Sequence, residues 1–311
     1  MFIKKLFKYI THPKKCFEYI EYRRLHSSYG KKLDDAEYIQ RMFKLNLGYK
    51  LDLENPKTYN EKLQWLKLNY HNPECITMVD KYLSKQYVAD LIGDEYVVPL
   101  YGVWDKFDEI DFDKLPDQFV LKTTHDCGGV VVCKDKKDFD VQAAKSFLEE
   151  HQRREYFYHC REWPYKFVKP RIIAEKFMKD TEGQEEEGLT DYKFFCFDGE
   201  PKAMFIATDR AKDNVETKFD FFDMEFNHLP FTNGHPNSEK EIKKPKQFDL
   251  MIELSRKLSV GLPHVRVDFY ESEGKIYFGE LTFFHWGGFV PFEPKEWDKK
   301  FGDWIKLPSK K

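Results

Sequence analysis

Two short stretches in the last fifty residues set acids, a cation and a hydroxyl at alternating positions. In His264-Val-Arg-Val-Asp-Phe-Tyr270, an extended chain turns Arg266, Asp268 and Tyr270 to one side and Val265, Val267 and Phe269 to the other. In Lys275–Phe283, Glu280 and Thr282 share a face. A turn centred near Gly274 pairs position 268 with 280 and 266 with 282, which sets Asp268 across from Glu280. Like charges in direct cross-strand contact destabilise a sheet unless one is protonated or a cation lies between them. Two oxygen ligands on rigid strands, with phosphates and waters completing an octahedron, suit Mg²⁺. Arg266 on the same face adds positive charge where a phosphoryl group carries negative charge. The competing reading is a surface hairpin whose acids pair with lysines.

A second candidate lies in Phe119-Val-Leu-Lys122-Thr-Thr-His125-Asp-Cys-Gly128-Gly129-Val-Val-Val-Cys-Lys134, which reads as strand, tight loop, strand. A lysine inside an apolar strand is costly unless its charge meets an anion. Gly128 and Gly129 let backbone N–H groups approach phosphate oxygens, and His125 offers a donor or an acid–base group. The Walker pattern G-x-x-x-x-G-K-[ST] is absent. Further on, Arg171–Met178 is an apolar strand carrying Glu175, whose backbone suits a purine edge, and Asp191 and Lys193 share a face at the start of another strand. The order along the chain is therefore Lys81, Lys122, Glu175, Asp191, Lys193, Arg266, Asp268, Glu280.

The elements that must position these residues fall into two kinds. Residues 35–92 have helical periodicity, in two parts: one places Leu63, Trp65, Leu66 and Leu68 near one face, and one runs from Thr77 to Ile92 and stops at Gly93. Strands are expected at Tyr96–Trp104, Phe119–Thr124, Gly129–Lys134, Arg171–Met178, Tyr192–Phe197, Lys202–Thr208, Lys218–Asp223, His264–Tyr270 and Lys275–Phe283, with helices over Asp138–Arg154 and Gln247–Val260. Asp198-Gly199-Glu200-Pro201 is a strong hairpin signal. Antiparallel hairpins beside helices predict an α+β fold rather than a doubly wound sheet.

Composition excludes several classes. With 34% charged and 17% aromatic residues the chain is globular, not disordered. A net charge of -3 gives no global attraction to nucleic acid, and no apolar run is long enough to cross a bilayer. The six cysteines show no C-x-x-C spacing and no zinc set, and read as free thiols in a reducing compartment. Residues 1–32 hold nine Lys/Arg against Glu18 and Glu21, with Phe2, Ile3, Leu6, Phe7 and Ile10 at helical spacing. This pattern reads either as an interfacial helix drawn to anionic lipid or as a helix docked on the protein body.

The ordered set of residues resembles the ATP-grasp superfamily, and within it the TupA-like branch associated with teichuronopeptide and other bacterial surface-polysaccharide synthesis. The resemblance covers about residues 45–308 and rests on NEKLQWLK, VDKY, VPLYGVWD, FVLKTTHDCGG, REWPY, KPRIIAEKFM, DYKFFCFDGEP, VRVDFY, FGELTF and FEPKEWD. It implies a subdomain with the phosphate loop (81–170) and a C-terminal subdomain with the metal site (171–311); residues 1–80 read as a helical region, whereas many ATP-grasp enzymes begin with an α/β domain. ATP would lie between the two subdomains. Lys81 and Lys122 would touch its phosphates or adenine, and the loop His125–Gly129 would close over the phosphates. Glu175 and the backbone of Lys176, Phe177 and Met178 would meet the adenine, and Asp191 the ribose or the neighbouring Lys193. Arg266 would stabilise the transferred phosphoryl, and Asp268 and Glu280 would bind Mg²⁺.

The implied chemistry is ligation. A carboxylate attacks the γ-phosphate to give an acyl phosphate, and an amine displaces phosphate to give an amide. The expected partners are a carboxylated sugar of a surface glycan and an amino acid or other amine, in the cytoplasm or at the inner membrane face. Two departures stand out: Thr282 where many ATP-grasp enzymes carry Asn, and Phe284-His285-Trp286-Gly287-Gly288 where many carry Pro-Gly-Ser-Gly. They mark Thr282, His285 and Trp286 for the substrate pocket. The rival readings are a glycosyltransferase using Asp111-Phe112-Asp113, and a kinase-like or non-catalytic nucleotide-binding protein.

Overall fold

The computed structural model of the chain describes residues 13–178, 190–209 and 216–309. The apolar pattern expected over residues 2–10 lies outside them. The N-terminal part is helical: α1 (Pro13–Leu25), α2 (Asp35–Leu47), α3 (Tyr59–Asn69), α4 (Glu74–Val79) and α5 (Leu83–Ile92). Local chemistry sets the ends. The Asp34 carboxylate accepts the N–H groups of Ala36 and Glu37 to start α2, and Gly48 ends it at a φ of 80°. Thr58 and Glu61 form a reciprocal capping box on α3. The single helix expected from Thr77 to Ile92 is instead broken at Asp80-Lys81-Tyr82. Asp80 accepts the N–H of Tyr82 at 2.8 Å and so opens a new helix, leaving Lys81 in the gap.

Strands β1 (Leu100–Trp104), β2 (Phe119–Thr123), β3 (Val130–Cys133) and β4 (Ile172–Lys176) form an antiparallel sheet in the order β1-β4-β2-β3. Helix α6 (Val141–Gln152) packs on it, and Phe119, Leu121, Ala144, Leu148, Ile172 and Ala174 fill the interior between them. A second antiparallel sheet contains β5 (Asp191–Phe197), β6 (Glu200–Thr208), β7 (Lys218–Phe222), β9 (His264–Ser272) and β10 (Lys275–Thr282), in the order β10-β9-β5-β6-β7. Helix α7 (Phe248–Ser259) lies against it. A two-residue pair, β8 (Thr232–Asn233) with β11 (Phe292–Glu293), and helix α8 (Glu296–Trp304) complete the C-terminal part. Leu63, Met78 and Val88 from the helices share one interior with Phe194, Leu258 and Phe269, so α3–α5 and the five-stranded sheet have a common core.

Both long hairpins turn on two residues with positive φ, Asp198-Gly199 (52° and 82°) and Glu273-Gly274 (53° and 70°). This is the turn that matches strand twist. In the β9–β10 hairpin, Ser272 pairs with Lys275 and Phe269 with Phe278, after which the register shifts by one. Beyond that bulge at Gly279, Asp268 faces Glu280 and Arg266 faces Thr282. A side chain at 279 would meet the Tyr270 ring at 2.9 Å and the Asp268 carbonyl oxygen at 3.1 Å, which explains the glycine. The two sheets are linked by the segment after β4, where Met178 is buried with Val98 and Tyr277.

Candidate active site

The five-stranded sheet lines up Lys193 of β5, Asp268 of β9 and Glu280 of β10 as direct cross-strand neighbours, with Arg266 and Thr282 paired one step along. Arg266 is the hub. Its Nε and Nη2 donate to the two Asp268 oxygens at 2.7 Å each, and Nη2 also reaches Glu280 Oε1 and Thr282 Oγ1, each at 3.0 Å. Nη1 donates to His285 Nδ1 at 2.7 Å, and His285 Nε2 in turn donates to Asn233 Oδ1 at 3.0 Å. Lys193 Nζ bonds Asp268 and lies 3.4 Å from Asp191. Burial alone would raise the Asp268 pKa, but the charges of Arg266 and Lys193 outweigh it and hold the carboxyl below its ordinary range. Burial and the adjacent Arg266 push the His285 pKa well below normal, so the ring is neutral.

The four-stranded sheet holds a second cluster. Glu175 on β4 is 5% exposed and lies 2.7 Å from Lys85 and 2.5 Å from Lys122. Burial would raise its pKa, but the two ammonium groups prevail and hold it at about 2. Lys85, on α5, is absent from the sequence-derived set, and its amine also donates to the Val98 carbonyl at 2.9 Å. Lys81 does not join this cluster. Its backbone N–H bonds the Thr124 carbonyl at 3.1 Å and its amine bonds the Asp126 carbonyl, so it pins the glycine loop.

That loop is tightly held at its base. Asp126 bridges Thr123 Oγ1 and the His151 ring; the Thr124 N–H donates to the Arg171 carbonyl and the Arg171 N–H donates to Thr124 Oγ1. A side chain at Gly129 would overlap Thr123 Oγ1 at 1.8 Å, whereas Gly128 sits at the loop tip with a φ of 88°. His125 is buried with Nε2 3.1 Å from the Arg154 carbonyl, and burial lowers its pKa. Cys127 at the tip has its thiol pushed up by desolvation and by the charge of Glu280, so the loop tip and Glu280 are within electrostatic reach of one another.

Thr282 and His285, expected at the substrate pocket, stand behind Arg266 and orient it. Both nitrogens of His285 are spent and the residue is 3% exposed. Trp286 lies apart, 42% exposed and stacked near Phe219 at 6.1 Å between ring centroids. Glu162 is also absent from the sequence-derived set. It is 8% exposed, and its strongest electrostatic neighbours are Lys67, Glu280 and Arg266. The signal that could have found it is an acid set between Arg161 and Trp163-Pro164, in a segment that must be buried for its two large neighbours to pack.

The sequence model of the family described as TupA-like ATPgrasp matches residues 61–306. The chain belongs to this family. No curated protein matches it. Among solved structures, D-alanine–D-alanine ligase from Helicobacter pylori is 15% identical with a TM-score of 0.43, over 81% of this chain and 70% of that one. D-alanine–D-alanine ligase from Bacillus anthracis, complexed with ATP, is 16% identical with a TM-score of 0.39, over 66% of this chain and 54% of that one. The ATP-grasp ligase PsnB with its minimal precursor is 10% identical with a TM-score of 0.40, over 69% of this chain and 54% of that one. This chain thus spans about half the length of the latter two. The α+β architecture with its helical N-terminal region is the ATP-grasp fold.

ATP-grasp chemistry involves a divalent cation, and the Asp268–Glu280 pair fits one in donor type and register. Glu280 is 44% exposed, and its Oε2 accepts no hydrogen bond among the described residues. Asp268 is fully buried under Arg266 and Lys193, and meets a cation only when one of these gives up a contact. No group of three or more His, Cys, Asp or Glu side chains able to hold a metal occurs among the described residues, so phosphates and water must complete any coordination.

Proposed function

We propose that this ATP-grasp protein is an ATP-dependent carboxylate–amine ligase that forms an amide through an acyl phosphate. The observation that carries the reading is the cross-strand row Lys193–Asp268–Glu280 with the Arg266 fork laid over it. Here a buried arginine, an exposed carboxylate and a sealed carboxylate converge with no role in holding the hydrophobic core. ATP would lie between the sheets. Lys122 and Lys85 would face its phosphates or adenine, Lys81 and the loop 125–129 would support the phosphates, and Glu175 with the backbone of 176–178 would border the adenine. Asp191 is fully buried beside Lys193, and would act by placing that lysine. Asp268 and Glu280 would hold Mg²⁺, which when bound neutralises phosphate charge. Arg266 would stabilise the phosphoryl group as the substrate carboxylate attacks. The work would be divided among an N-terminal helical region, a subdomain with the loop whose sheet takes in β4 (Ile172–Lys176) beyond the expected boundary at residue 170, and a C-terminal subdomain with the acids.

The substrate reading is a hexuronic acid of a bacterial capsular or surface polysaccharide joined to an amino acid or other amine. It rests on analogy within the TupA-like branch. No helix among the described residues is long and apolar enough to cross a membrane. Helix α1 exposes Phe17 and Ile20 next to basic residues, which supports peripheral contact of residues 1–32 with an anionic membrane at the inner face. Deleting residues 1–20 is then expected to weaken binding to phosphatidylglycerol vesicles and to spare turnover.

The test is a screen of uronic acids against amino acids, read as ADP, phosphate and amide. Glu280→Gln is expected to lower turnover roughly 100-fold or more without unfolding the protein. Near wild-type rates in that variant, a phosphorylated end product, or release of UDP or GDP would overturn the assignment.

A further inference from the structure

Helix α3 is buried over most of its surface, yet one of its buried faces is polar. Asn60, Gln64 and Lys67 follow one another at helical spacing on that face and are 1%, 0% and 2% exposed. Such a stripe is costly unless each group finds a partner. All three find theirs in the segment after β10. Asn60 Nδ2 donates to the Val290 carbonyl at 3.1 Å, and Gln64 Nε2 donates to the carbonyls of Gly287 and Gly288 at 3.0 and 2.8 Å. The Lys67 ammonium donates to the Gly287 carbonyl at 2.6 Å, to the Cys160 carbonyl at 2.8 Å and to Gln64 Oε1 at 2.9 Å.

The backbone of that segment needs such donors. Trp286, Gly287 and Gly288 are left-handed in succession, with φ of 52°, 61° and 66°. A run of this kind cannot join a strand ladder, so its buried carbonyls depend on side chains. It is strained for a tryptophan, and persists only where the surroundings leave no alternative. Here they leave none: a side chain at 288 would overlap Gln64 Nε2, and one at 287 would come within 2.8 Å of Cys160 Sγ.

The effect carries through to Arg266. Asn233 Nδ2 shares the Val290 carbonyl with Asn60, at 3.2 Å, and also donates to the Pro291 carbonyl at 3.1 Å. With its amide hydrogens so engaged, Asn233 turns Oδ1 to His285. The ring then carries its proton on Nε2 and offers a bare Nδ1 to Arg266 Nη1. An unbroken order of donors and acceptors thus runs from α3 to the arginine.

We propose that Asn60, Gln64 and Lys67 are positioning residues: by holding the carbonyls of Gly287, Gly288 and Val290 they fix the His285 tautomer and aim the Arg266 guanidinium at the phosphoryl group. This deepens the ligase reading and rests on it.

The experiment uses the full chain. Gln64→Leu and Lys67→Met keep most of the side-chain bulk and remove the donors. Asn60→Ala is the mildest change, since the backbone N–H of residue 60 keeps its bond to Asp298. Acyl phosphate is trapped as hydroxamate with ATP, hydroxylamine and a panel of glucuronate, galacturonate and mannuronate. Gln64→Leu and Lys67→Met are expected to lower kcat about tenfold or more, while the KM for ATP stays within about threefold of wild type. Nitrogen NMR of histidine-labelled protein, with His285→Gln to assign the ring, should show protonation at Nε2 in the wild type and a mixture of tautomers in Gln64→Leu. Should both of these variants fail to fold, Asn60→Ala decides, with kcat expected to fall about threefold and the His285 signal to change in the same direction. Unchanged kcat, or an unaltered His285 ring, in a folded variant would overturn the proposal and leave the ligase reading standing. Absence of hydroxamate from the wild type with every acid would sink the ligase reading and this proposal with it.

Discussion

The two sheets carry the same kinds of side chain in opposite balance. In the four-stranded sheet, one carboxylate, Glu175, is clamped by Lys85 and Lys122, leaving one net positive charge. In the five-stranded sheet, Lys193 and Arg266 face Asp191, Asp268 and Glu280, leaving one net negative charge. The first surplus suits an anion such as a phosphate chain, and the second suits a cation. Exposure follows the same division: Lys122 at 23% and Glu280 at 44% are the most open side chains of these two clusters. Buried pairs therefore set the geometry, and one accessible group in each cluster is left to meet a ligand.

If that contrast is real, breaking the hubs should have unequal effects. Arg266→Met leaves Asp268 buried against Lys193 alone, and is expected to cost about 3–5 kcal/mol in urea unfolding with complete loss of turnover. Adding Asp268→Asn to that variant should restore part of the stability and none of the activity. Glu175→Gln unclamps two partly solvated lysines and is expected to cost less, about 2–3 kcal/mol.

The same residue gives a pH signature. The Glu175 pKa is depressed to about 2, so its stabilisation is present above the unfolded value near about 4.3 and is lost as pH falls toward the folded one. The wild type should lose stability between pH 5 and 3 more steeply than Glu175→Gln. Glu162 has the opposite sign. Its pKa is raised to about 7, so the folded state loses stability as pH rises from about 4.3 through 7. Glu162→Gln is expected to be more stable than wild type by on the order of 2 kcal/mol at pH 8, with the gain gone at pH 4. A destabilised Glu162→Gln at pH 8 would mean the acid has a structural partner. The smallest effect is expected for Cys127→Ser: less than about 0.5 kcal/mol, with turnover retained, because an exposed thiol whose pKa is raised is neither packed nor activated.

Strand alternation made the faces of β9 and β10 legible, and with them the grouping of Arg266, Asp268, Glu280 and Thr282. The pairing of 268 with 280 also agrees, although the turn is centred between Glu273 and Gly274 and the bulge at Gly279 restores the assumed register. A bulge depends on both strands at once, and one glycine does not announce it. Lys85 was hidden because a lysine on a helix has no periodic signal that separates a buried amine from a solvated one. The placement of His285 behind Arg266 depends on Asn233, 52 residues away, and local pattern holds no trace of such a contact. The break at Asp80–Tyr82 was missed because side-chain capping by Asp80 overrode helical periodicity that continues on either side.

The one-residue offset at Gly279 has a consequence for how this hairpin can change. The stretch next to the turn keeps its own pairing, while the stretch bearing Glu280 and Thr282 runs out of phase with it. Mutations that tighten or loosen the turn can therefore accumulate without dragging the face of Glu280 and Thr282 along. Deleting Gly279 alone would remove the extra residue and straighten the strand, yet leave Glu280 across from Asp268 and Thr282 across from Arg266 in an unbroken ladder.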